Sequence, residues 1–444
     1  MINKVKLMGL AAVLFQGVVL AQDSKTLTLS EAISHALEHK ADAEKARLNI
    51  RKGDAEIAEV KANALPKISA VSSTTYNAIL QEMVIPSFVN PNETMKLVMG
   101  QKWTSSNGVQ LQQVLFNQSV FTGLKAAKST KEFYIINAQL TEEQLIEKVA
   151  TAYYQVYQAE QMLKNIEDNL DITEKTVGII KGLYDAGLAK KIDYDRTTVA
   201  LNNVKASRQQ LVNSVALSEN ALKFMIGMPM EQDIDLPNAT FEPSHLVSNE
   251  ADFSQRTELK VLNKQLELLE WQKKASIAEY YPTAALTANY MWYGQGKKMP
   301  WFNGQSNGVY WSDISAIGLN INIPIFSGFA IKSKVEKNQI EIEKAQADLR
   351  ETQLSLDLAY KNAVSQLENS AITISTQESN VKLAEEVVAN TQANYKHGLA
   401  TLNDILDADR DLIDARNNLT KAKLDYKLAE IELLKSQGKL RDLQ

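Results

Sequence analysis

Two long stretches of the chain repeat hydrophobic residues in alternating steps of four and three. The first begins at Leu145 and ends at Tyr184, and the second begins at Leu356 and ends at Tyr395. A third run repeats large apolar residues every seven positions, at Ile405, Leu412, Leu419, Tyr426, Leu433 and Leu440. These spacings are the heptad pattern of helices that pack side by side. They predict long paired helices, each buried along one stripe.

The distribution of proline supports long helices. The chain has nine prolines, but none lies between Pro91 and Pro229 and none follows Pro324. Because proline breaks a helix interior, both stretches can be helical throughout. We predict four helices, over 124–186, 191–226, 331–397 and 402–437. The first would be ~93 Å long, too long for a compact domain, and must lie against other helices.

The two halves of the chain share short sequence motifs. Tyr184–Asp193 recurs as Tyr395–Asp404 at an offset of 211 residues, and the same offset takes Leu222 to Leu433. This predicts two structural repeats, each made of a helix, two strands and a long helical hairpin. The predicted boundaries are 22–227 for the first repeat, 228–255 for a linker and 256–444 for the second repeat. The opening helices are expected over 30–64 and 256–280.

Four strands are predicted, over 66–80, 108–118, 282–294 and 310–325. In the last strand, isoleucine and leucine alternate with small or polar residues from Ile317 to Ile325. This alternation is typical of strands in a membrane β-barrel, and aromatic residues are typical of its rim. We predict an aromatic girdle at Trp103, Trp292, Trp301, Tyr310 and Trp311. The alternative is a soluble four-stranded sheet with one wet face.

Four strands are too few to close a barrel, since about eight already give an interior filled by side chains. Three copies would supply twelve strands and leave a lumen. The predicted fold is therefore mainly helical with membrane β-structure, in a homotrimer. Four strands per chain would enter a twelve-stranded β-barrel, and the long antiparallel hairpins would form an elongated rod beside it.

Residues 1–21 predict export. Lys4 and Lys6 precede an apolar run from Leu7 to Ala21, which is the pattern of a secretory signal peptide; an N-terminal membrane anchor is the alternative. The chain has no cysteine, which excludes disulfides and thiolate chemistry. Its formal net charge of −5 argues against a nucleic-acid partner.

Several short motifs, taken in order, resemble the outer-membrane efflux protein (TolC) family. They are the Leu27–Ala32 helix start, the Leu65-Pro66 strand entry, the Pro324–Gly328 strand exit and the two Tyr-x-x-Gly-x-x-x-x-x-Asp hairpin tips. The resemblance covers nearly the whole chain after the leader, although Leu115–Ser119 lacks the glycine of the family's strand exit.

The resemblance implies a passive exit duct, in which the twelve-stranded β-barrel crosses the outer membrane and the long antiparallel hairpins form an α-barrel across the periplasm. Such channels serve tripartite efflux or type I secretion, with a periplasmic adaptor and an inner-membrane transporter as partners and outer-membrane lipid around the barrel. The family docks its adaptor at the hairpin tips, which here are Gly187, Leu188, Ala189, Gly398, Leu399, Ala400 and Thr401. A periplasmic coiled-coil adaptor without a barrel is the alternative function.

Acidic residues follow the second tip on one helix face. Asp404, Asp407, Asp411 and Asp414 are spaced by three or four residues, which weakens an isolated helix. In a trimer each would become a ring of three carboxylates, and such rings favour cations. Asp404 and Asp407 also match the family's acidic pore constriction. A solvated helix face is the alternative.

The resemblance further implies a gate latch between the two tips. Tyr395 and Asp193 occupy the family's tyrosine and aspartate positions, whereas Ala400 stands where some members have an arginine. We therefore expect the charged part of this latch to differ, with Lys190 or Lys191 as candidates. The alternative is that Tyr395 merely ends the heptad seam and Asp193 caps the next helix.

No enzyme is predicted. His35–His39 matches the H-x-x-E-H spelling of a zinc protease, but no accompanying protease motif is present, and we interpret the match as coincidence. No catalytic residue, cofactor or metal site is predicted. A secreted hydrolase would rest on this motif alone.

Overall fold

The computed structural model describes residues 26–89, 92–237 and 256–444. The described chain contains long helical hairpins and one four-stranded sheet. The helices are α1 (Leu29–His39), α2 (Ala41–Ala62), α3 (Gln118–Asp185), α4 (Lys191–Ile226), α5 (Thr257–Ala278), α6 (Ala330–Lys396) and α7 (Leu402–Ser436). The strands are β1 (Lys67–Tyr76), β2 (Gln81–Pro86), β3 (Thr94–Met99), β4 (Trp103–Asn117), β5 (Thr283–Gly296) and β6 (Val309–Asn322). The predicted signal peptide lies outside the described residues.

The four long helices form where the heptad pattern predicts them. α3 packs antiparallel on α4, and α6 packs on α7, with α5 lying against both α3 and α6. At 68 residues, α3 is about 100 Å long. The shorter helices α1, α2 and α5 cover the part of α3 and α6 that the returning helices leave open, which explains how such long helices are buried.

The first helix is divided, which the sequence did not predict. α1 ends and α2 begins at Lys40, whose backbone is extended at ψ 134°. The Lys40 ammonium donates to the carbonyl oxygen of Phe224 at 2.6 Å and lies 3.8 Å from the centre of its ring. This contact with α4 lies at the break, where the sequence has no glycine or proline.

The main core lies where α1, α3, α4 and α7 meet, at the middle of the helical part. Ile33, Ile146, Val149 and Leu222 are fully buried there. The start of the predicted linker also packs on this core, because Leu236 is buried and the Asp235 carbonyl accepts from the Leu27 amide at 2.7 Å. Residues 238–255 of that linker lie outside the described residues.

The sheet is antiparallel in the order β1-β4-β5-β6. Strands β1 and β6 are its two edges, and in the described chain no further strand pairs with either edge. Both faces are largely open along β1 and β6. A single-layer sheet of this kind lacks the second layer that stabilises soluble domains.

Strands β2 and β3 form a separate antiparallel hairpin between β1 and β4. The sequence predicted only one strand before residue 108, ending near residue 80, so this hairpin was missed. Pro86 and Pro91 weakened the signal, because proline inside an apolar run argues against a strand.

Along the described parts of the chain, every helix falls short of the length or apolarity that a membrane-spanning helix requires.

Candidate functional site

The two faces of the four-stranded sheet differ in chemistry. Antiparallel register places Ile68, Leu111, Ala288 and Ile317 side by side on one face. The neighbouring row on the other face contains Lys67, Gln112, Thr287 and Gly318. Ile317 is 82% exposed. An exposed apolar face backed by a polar face is the arrangement that membrane β-barrels use toward lipid and lumen.

Tryptophans gather on the apolar face at the end of the sheet remote from the helices. Trp311 lies opposite Gly294 in register, and its indole ring covers that glycine. Trp301 donates from its indole nitrogen to the Thr74 hydroxyl at 2.9 Å, and its ring meets that of Trp311 edge to face. Trp103 and Trp292 lie on the same face by register.

Tyr310 lies on the other side of the sheet. It pairs with Gln295, whereas its neighbour Trp311 pairs with Gly294, and consecutive strand residues point to opposite faces. Of the five residues predicted for the girdle, Tyr310 is therefore the one that the register places on the polar face. The sequence pattern alone did not separate these two neighbours, since both are aromatic.

A second aromatic group lies at the end of the sheet near the helices, and the sequence analysis missed it. Its members are all at least partly exposed: Phe116, Phe121, Tyr280, Tyr281, Phe326 and Phe329. Phe116 shares its register level with Ile321. Ten residues of β6 separate Trp311 from Ile321, or ~26 Å for a strand tilted by ~40°. This spacing is close to the ~25 Å height of the apolar band of outer-membrane barrels, and the acid that the register places within it, Asp313, accepts a hydrogen bond from the Tyr290 hydroxyl at 2.7 Å.

The two hairpin tips have the same backbone. Gly187 and Gly398 adopt φ values of 75° and 72°, in the left-handed region that favours glycine. Each is followed by an exposed leucine, Leu188 at 77% and Leu399 at 78%. Their amides donate back to Leu183 and Asn394, closing the preceding helix in both hairpins. Each tip therefore presents one apolar side chain on a rigid turn.

The predicted latch residues are close to each other but not hydrogen-bonded. Burial and the nearby charge of Asp193 both raise the pKa of Tyr395. The bond that joins the two hairpins near their tips is a different one, in which the Arg196 guanidinium of α4 donates to the Asn403 amide oxygen of α7 at 3.0 Å. Neither predicted lysine supplies it.

The helices near the tips are less tightly packed than the core. A cleft of about 460 Å³ opens between α3, α6 and α7, lined by Thr176, Tyr395 and Leu412 among others. Polar contacts join the hairpins at this cleft, where Arg416 of α7 lies 3.8 Å from Asp168 of α3. Polar contacts around a cleft can separate at lower cost than a close-packed apolar core.

Asp404 and Asp407 are both exposed on α7, but Asp404 also caps the helix. The Thr401 amide and hydroxyl donate to the Asp404 carboxylate at 2.7 and 2.8 Å. These two hydrogen bonds from Thr401 lower the pKa of Asp404, so its charge persists in mildly acidic solution. Asp411 and Asp414 are exposed on the same helix, and Asp414 lies 4.0 Å from Arg410.

Asp409 is an acidic residue that the sequence analysis did not single out. It is 7% exposed, and its Oδ1 has no hydrogen-bond partner within the described chain. Burial raises the pKa of Asp409 to about 6. It lies between Ile405 and Leu412 of the heptad run, and heptad spacing alone does not show whether such a position is buried or exposed.

Asp409→Asn is expected to stabilise the protein at pH 8 and to have a much smaller effect at pH 4. The raised pKa means that the charged carboxylate destabilises the fold above pH 6, and that stability is recovered as the pH falls toward 4. A shift from 3.8 to about 6 corresponds to a stability change on the order of 3 kcal/mol across that range. Thermal unfolding at both pH values measures it. Asp411→Asn, an exposed change on the same helix, is the control; equal behaviour of the two variants would contradict the assignment.

A family model matches most of the chain. The model described as "Outer membrane efflux protein" aligns with residues 32–228 and 253–439. The chain belongs to the outer membrane efflux protein family. This family consists of outer-membrane channels and not enzymes, and it favours a channel over the adaptor that was the alternative.

The curated relatives cover nearly the full length of this efflux-family chain. Outer membrane protein TolC of Vibrio cholerae serotype O1 is 24% identical over 401 residues, which is 88% of this chain and 89% of the relative. Outer membrane efflux protein BepC of Brucella suis is 22% identical over 440 residues, or 97% and 90% of the two chains. Among solved structures, the outer membrane protein VceC of Vibrio cholerae shares the fold with a TM-score of 0.72, 19% identity and coverage of 92% and 96%.

In this efflux-family fold, His35 and His39 have structural contacts. The His35 Nδ1 lies 3.0 Å from the Ile226 carbonyl oxygen, and the His39 Nδ1 lies 3.1 Å from the His35 carbonyl oxygen. The two rings stack with centres 4.2 Å apart. Each histidine therefore uses one ring nitrogen on the backbone at the junction of α1 with α4.

Proposed function

We propose that three copies of this chain form a passive exit channel through the outer membrane and the periplasm. Each copy would contribute its four strands to one twelve-stranded barrel and its two helical hairpins to an α-helical tube. The observation that carries this proposal is a sheet with two exposed faces and with two edges that no strand among the described residues pairs. Pairing β1 of one copy with β6 of the next would give hydrogen-bond partners to the backbone groups at both edges. Closure into a barrel leaves a sheet without unpaired edges.

The two matched segments of the family model also support the duplicated architecture. Residues 32–228 and 253–439 each contain a long helical hairpin and two strands of the sheet. We propose that the two halves occupy equivalent places in the tube. The signal peptide at 1–21 would deliver the chain to the periplasm before assembly.

Membrane fractionation with gel migration before and after heating tests the channel. We expect the mature protein in the outer-membrane fraction, migrating as a trimer unheated and as a monomer after heating. A water-soluble monomer without detergent would contradict the proposal. Single-channel current in a planar bilayer then distinguishes a channel from a scaffold that only binds the membrane.

The tips are proposed as the docking surface for a periplasmic adaptor. Leu188 and Leu399 occupy equivalent positions on the two hairpins, and each is more than three-quarters exposed. An adaptor with small apolar pockets could bind six such leucines around the rim of a trimer. The inner-membrane transporter would supply the energy, since the channel contains no chemistry of its own.

The proposed gate consists of the tip contacts between the two hairpins. Arg196 and Asn403 would hold the hairpins together, with Tyr395 and Asp193 beside them. An exposed bond of this kind contributes about 1 kcal/mol or less per copy. Separation of the tips would therefore require only modest energy from the adaptor.

Arg196→Ala is expected to shift the channel toward its open state by up to about fivefold per copy, since about 1 kcal/mol corresponds to that factor. Single-channel conductance and open probability at fixed salt measure the shift. The matched control is Arg208→Ala, because Arg208 pairs with Glu167 at 2.7 Å within one hairpin. Unchanged gating in Arg196→Ala would show that this hydrogen bond does not hold the gate closed.

A further inference from the structure

The four-stranded sheet contains only two charged side chains, and they lie on opposite faces. Lys67 of β1 and Asp313 of β6 are the charged residues within β1, β4, β5 and β6. Register places Lys67 on the polar face, in one row with Gln112 and Thr287. Asp313 pairs with Trp292 on the apolar face. The strands therefore contribute one charge to the polar face, and that charge is positive.

The side chains around Lys67 on the polar face are neutral. The next row along the strands contains Ser69, Gln110, Asn289 and Ala316. Together with Lys67, they line a depression of about 360 Å³. Amide and hydroxyl groups can donate hydrogen bonds to an anion, but they carry no charge that would oppose an ammonium group. Lys67 therefore sets the sign of the electrostatic potential on this part of the sheet.

The positive charge of Lys67 is open to a solute on the polar side of the sheet. The side chain is exposed, and its ammonium group donates to the Asn63 amide oxygen at 3.2 Å. This partner, at the end of α2, is neutral and leaves the charge in place. The carboxylate of Asp313 lies on the opposite face, where the Tyr290 hydroxyl donates to it at 2.7 Å.

Lys67 lies at the end of the sheet that adjoins the helices. It is the first residue of β1, which follows α2 in the chain. Twelve strands about 4.8 Å apart with a tilt of ~40° give the proposed barrel a radius of ~12 Å. A side chain that points inward from such a wall carries its charge to ~10 Å from the axis. Three copies would therefore place three ammonium groups around the lumen where the helical tube meets the barrel.

We propose that the three Lys67 side chains form a cationic ring in the lumen, at the inner end of the β-barrel, that attracts anionic solutes. Rings of lysine or arginine favour anions in pores, as rings of carboxylates favour cations. This inference rests on the proposed trimeric channel with the polar face of the sheet toward its lumen. The two ends of the channel would then differ in sign, with acidic rings near the helical tips and a basic ring at the barrel.

The ring has an effect that can be measured locally. Three unit charges ~10 Å from the axis change the concentration of a monovalent ion there by up to about eightfold at low ionic strength, even at the dielectric constant of water. The effect has opposite signs for anions and cations, so the ratio of their concentrations changes by up to the square of that factor. A pair of reagents of opposite charge and equal chemistry therefore reports the ring.

Thiol modification is the test, because the chain has no cysteine. Gln110→Cys places a thiol on the polar face, one row from Lys67. Anionic and cationic methanethiosulfonates are added on the extracellular side, from which they reach the barrel without passing the tips. Relative to their rates with a free thiol, we expect the anionic reagent to modify Q110C at least fivefold faster than the cationic one. Adding Lys67→Gln should abolish that preference.

Two matched variants control for the charge and for the face. Asp313→Asn removes the other charge of the sheet, from the opposite face, and should leave the preference for the anionic reagent unchanged. Ile317→Cys places the thiol on the apolar face at a neighbouring level of the sheet. Lipid should shield that thiol from both reagents, so its modification should be much slower than that of Q110C.

The oligomeric state and the current separate this inference from the proposed function. Every variant is first checked for the heat-sensitive trimer and for single-channel conductance. A conducting Q110C trimer with the same reagent preference with and without Lys67 would overturn the ring and leave the channel proposal standing. Faster modification of I317C than of Q110C would place the apolar face toward water and overturn the ring as well. Absence of both trimer and current from the wild type would overturn both proposals.

Discussion

Replacing Asp404 and Asp407 together by asparagine is expected to remove most of the channel's preference for cations. In the proposed trimer these residues form two rings of three carboxylates near the tips. Three charges at ~8 Å attract a monovalent cation by about 1.6 kcal/mol even at the dielectric constant of water, which is more than tenfold. The lowered pKa of Asp404 keeps its ring charged down to mildly acidic pH. The reversal potential in a salt gradient, measured at low ionic strength to limit screening, gives the permeability ratio.

The matched control is the double variant Asp411→Asn with Asp414→Asn. It removes the same charge from the same helix, one to two turns farther from the tip. Asparagine at 404 can still accept the hydrogen bond from the Thr401 amide, so the helix start should survive. If both double variants keep wild-type selectivity, the acidic face is solvated surface and the constriction lies elsewhere. An equal loss of cation selectivity in both double variants would mean that the aspartates along α7 contribute together.

Gly108→Ala is expected to prevent assembly of the channel. Gly108 lies in the middle of β4, where an added Cβ would come within 2.2 Å of the Tyr290 carbonyl oxygen and 2.8 Å of the Met291 Cα. Those are backbone atoms of β5, which is held between β4 and β6 and cannot move aside. The substitution would open the pairing between β4 and β5, which joins the strands of the two halves. We expect loss of the heat-sensitive trimer from the outer membrane.

Gly318→Ala is the control in the same sheet. Its added Cβ would lie 3.3 Å from the Thr287 hydroxyl, a side-chain atom that can rotate away. Normal trimer levels are expected for this variant. Normal trimer levels in Gly108→Ala would mean that β4 and β5 separate more easily than their register suggests.

The helical part of the fold was predicted well because its signal is local and repeated. The apolar residues from Leu145 to Tyr184 repeat at helical spacing, which identifies the helix directly. The glycines at 187 and 398 mark the turns. The predicted start of α3 at 124 was late by six residues, since α3 begins at Gln118 with Asn117 as its cap. Glycine and β-branched residues near this boundary obscured where the strand ends.

The candidate site was predicted less completely. Asp404 and Asp407 were singled out because their spacing departs from a stable helix surface; the structure places both on the exposed surface of α7, and their role in the pore stays a prediction. Arg196 and Asn403 were missed, since they are 207 positions apart and each looks like an ordinary surface residue. Asp409 was missed because heptad spacing shows which residues face the partner helix, but not which of the residues beside them are buried by other helices.

The amino-acid sequence by itself determined the long helices, their tips and the alternation of the strands, because each follows from the order of neighbouring residues. The tertiary structure alone decided the break at Lys40, the face occupied by Tyr310, the bond from Arg196 to Asn403 and the burial of Asp409. Those features depend on how distant segments align along and around one another. That alignment is set by the packing of the whole chain, and no local pattern contains it.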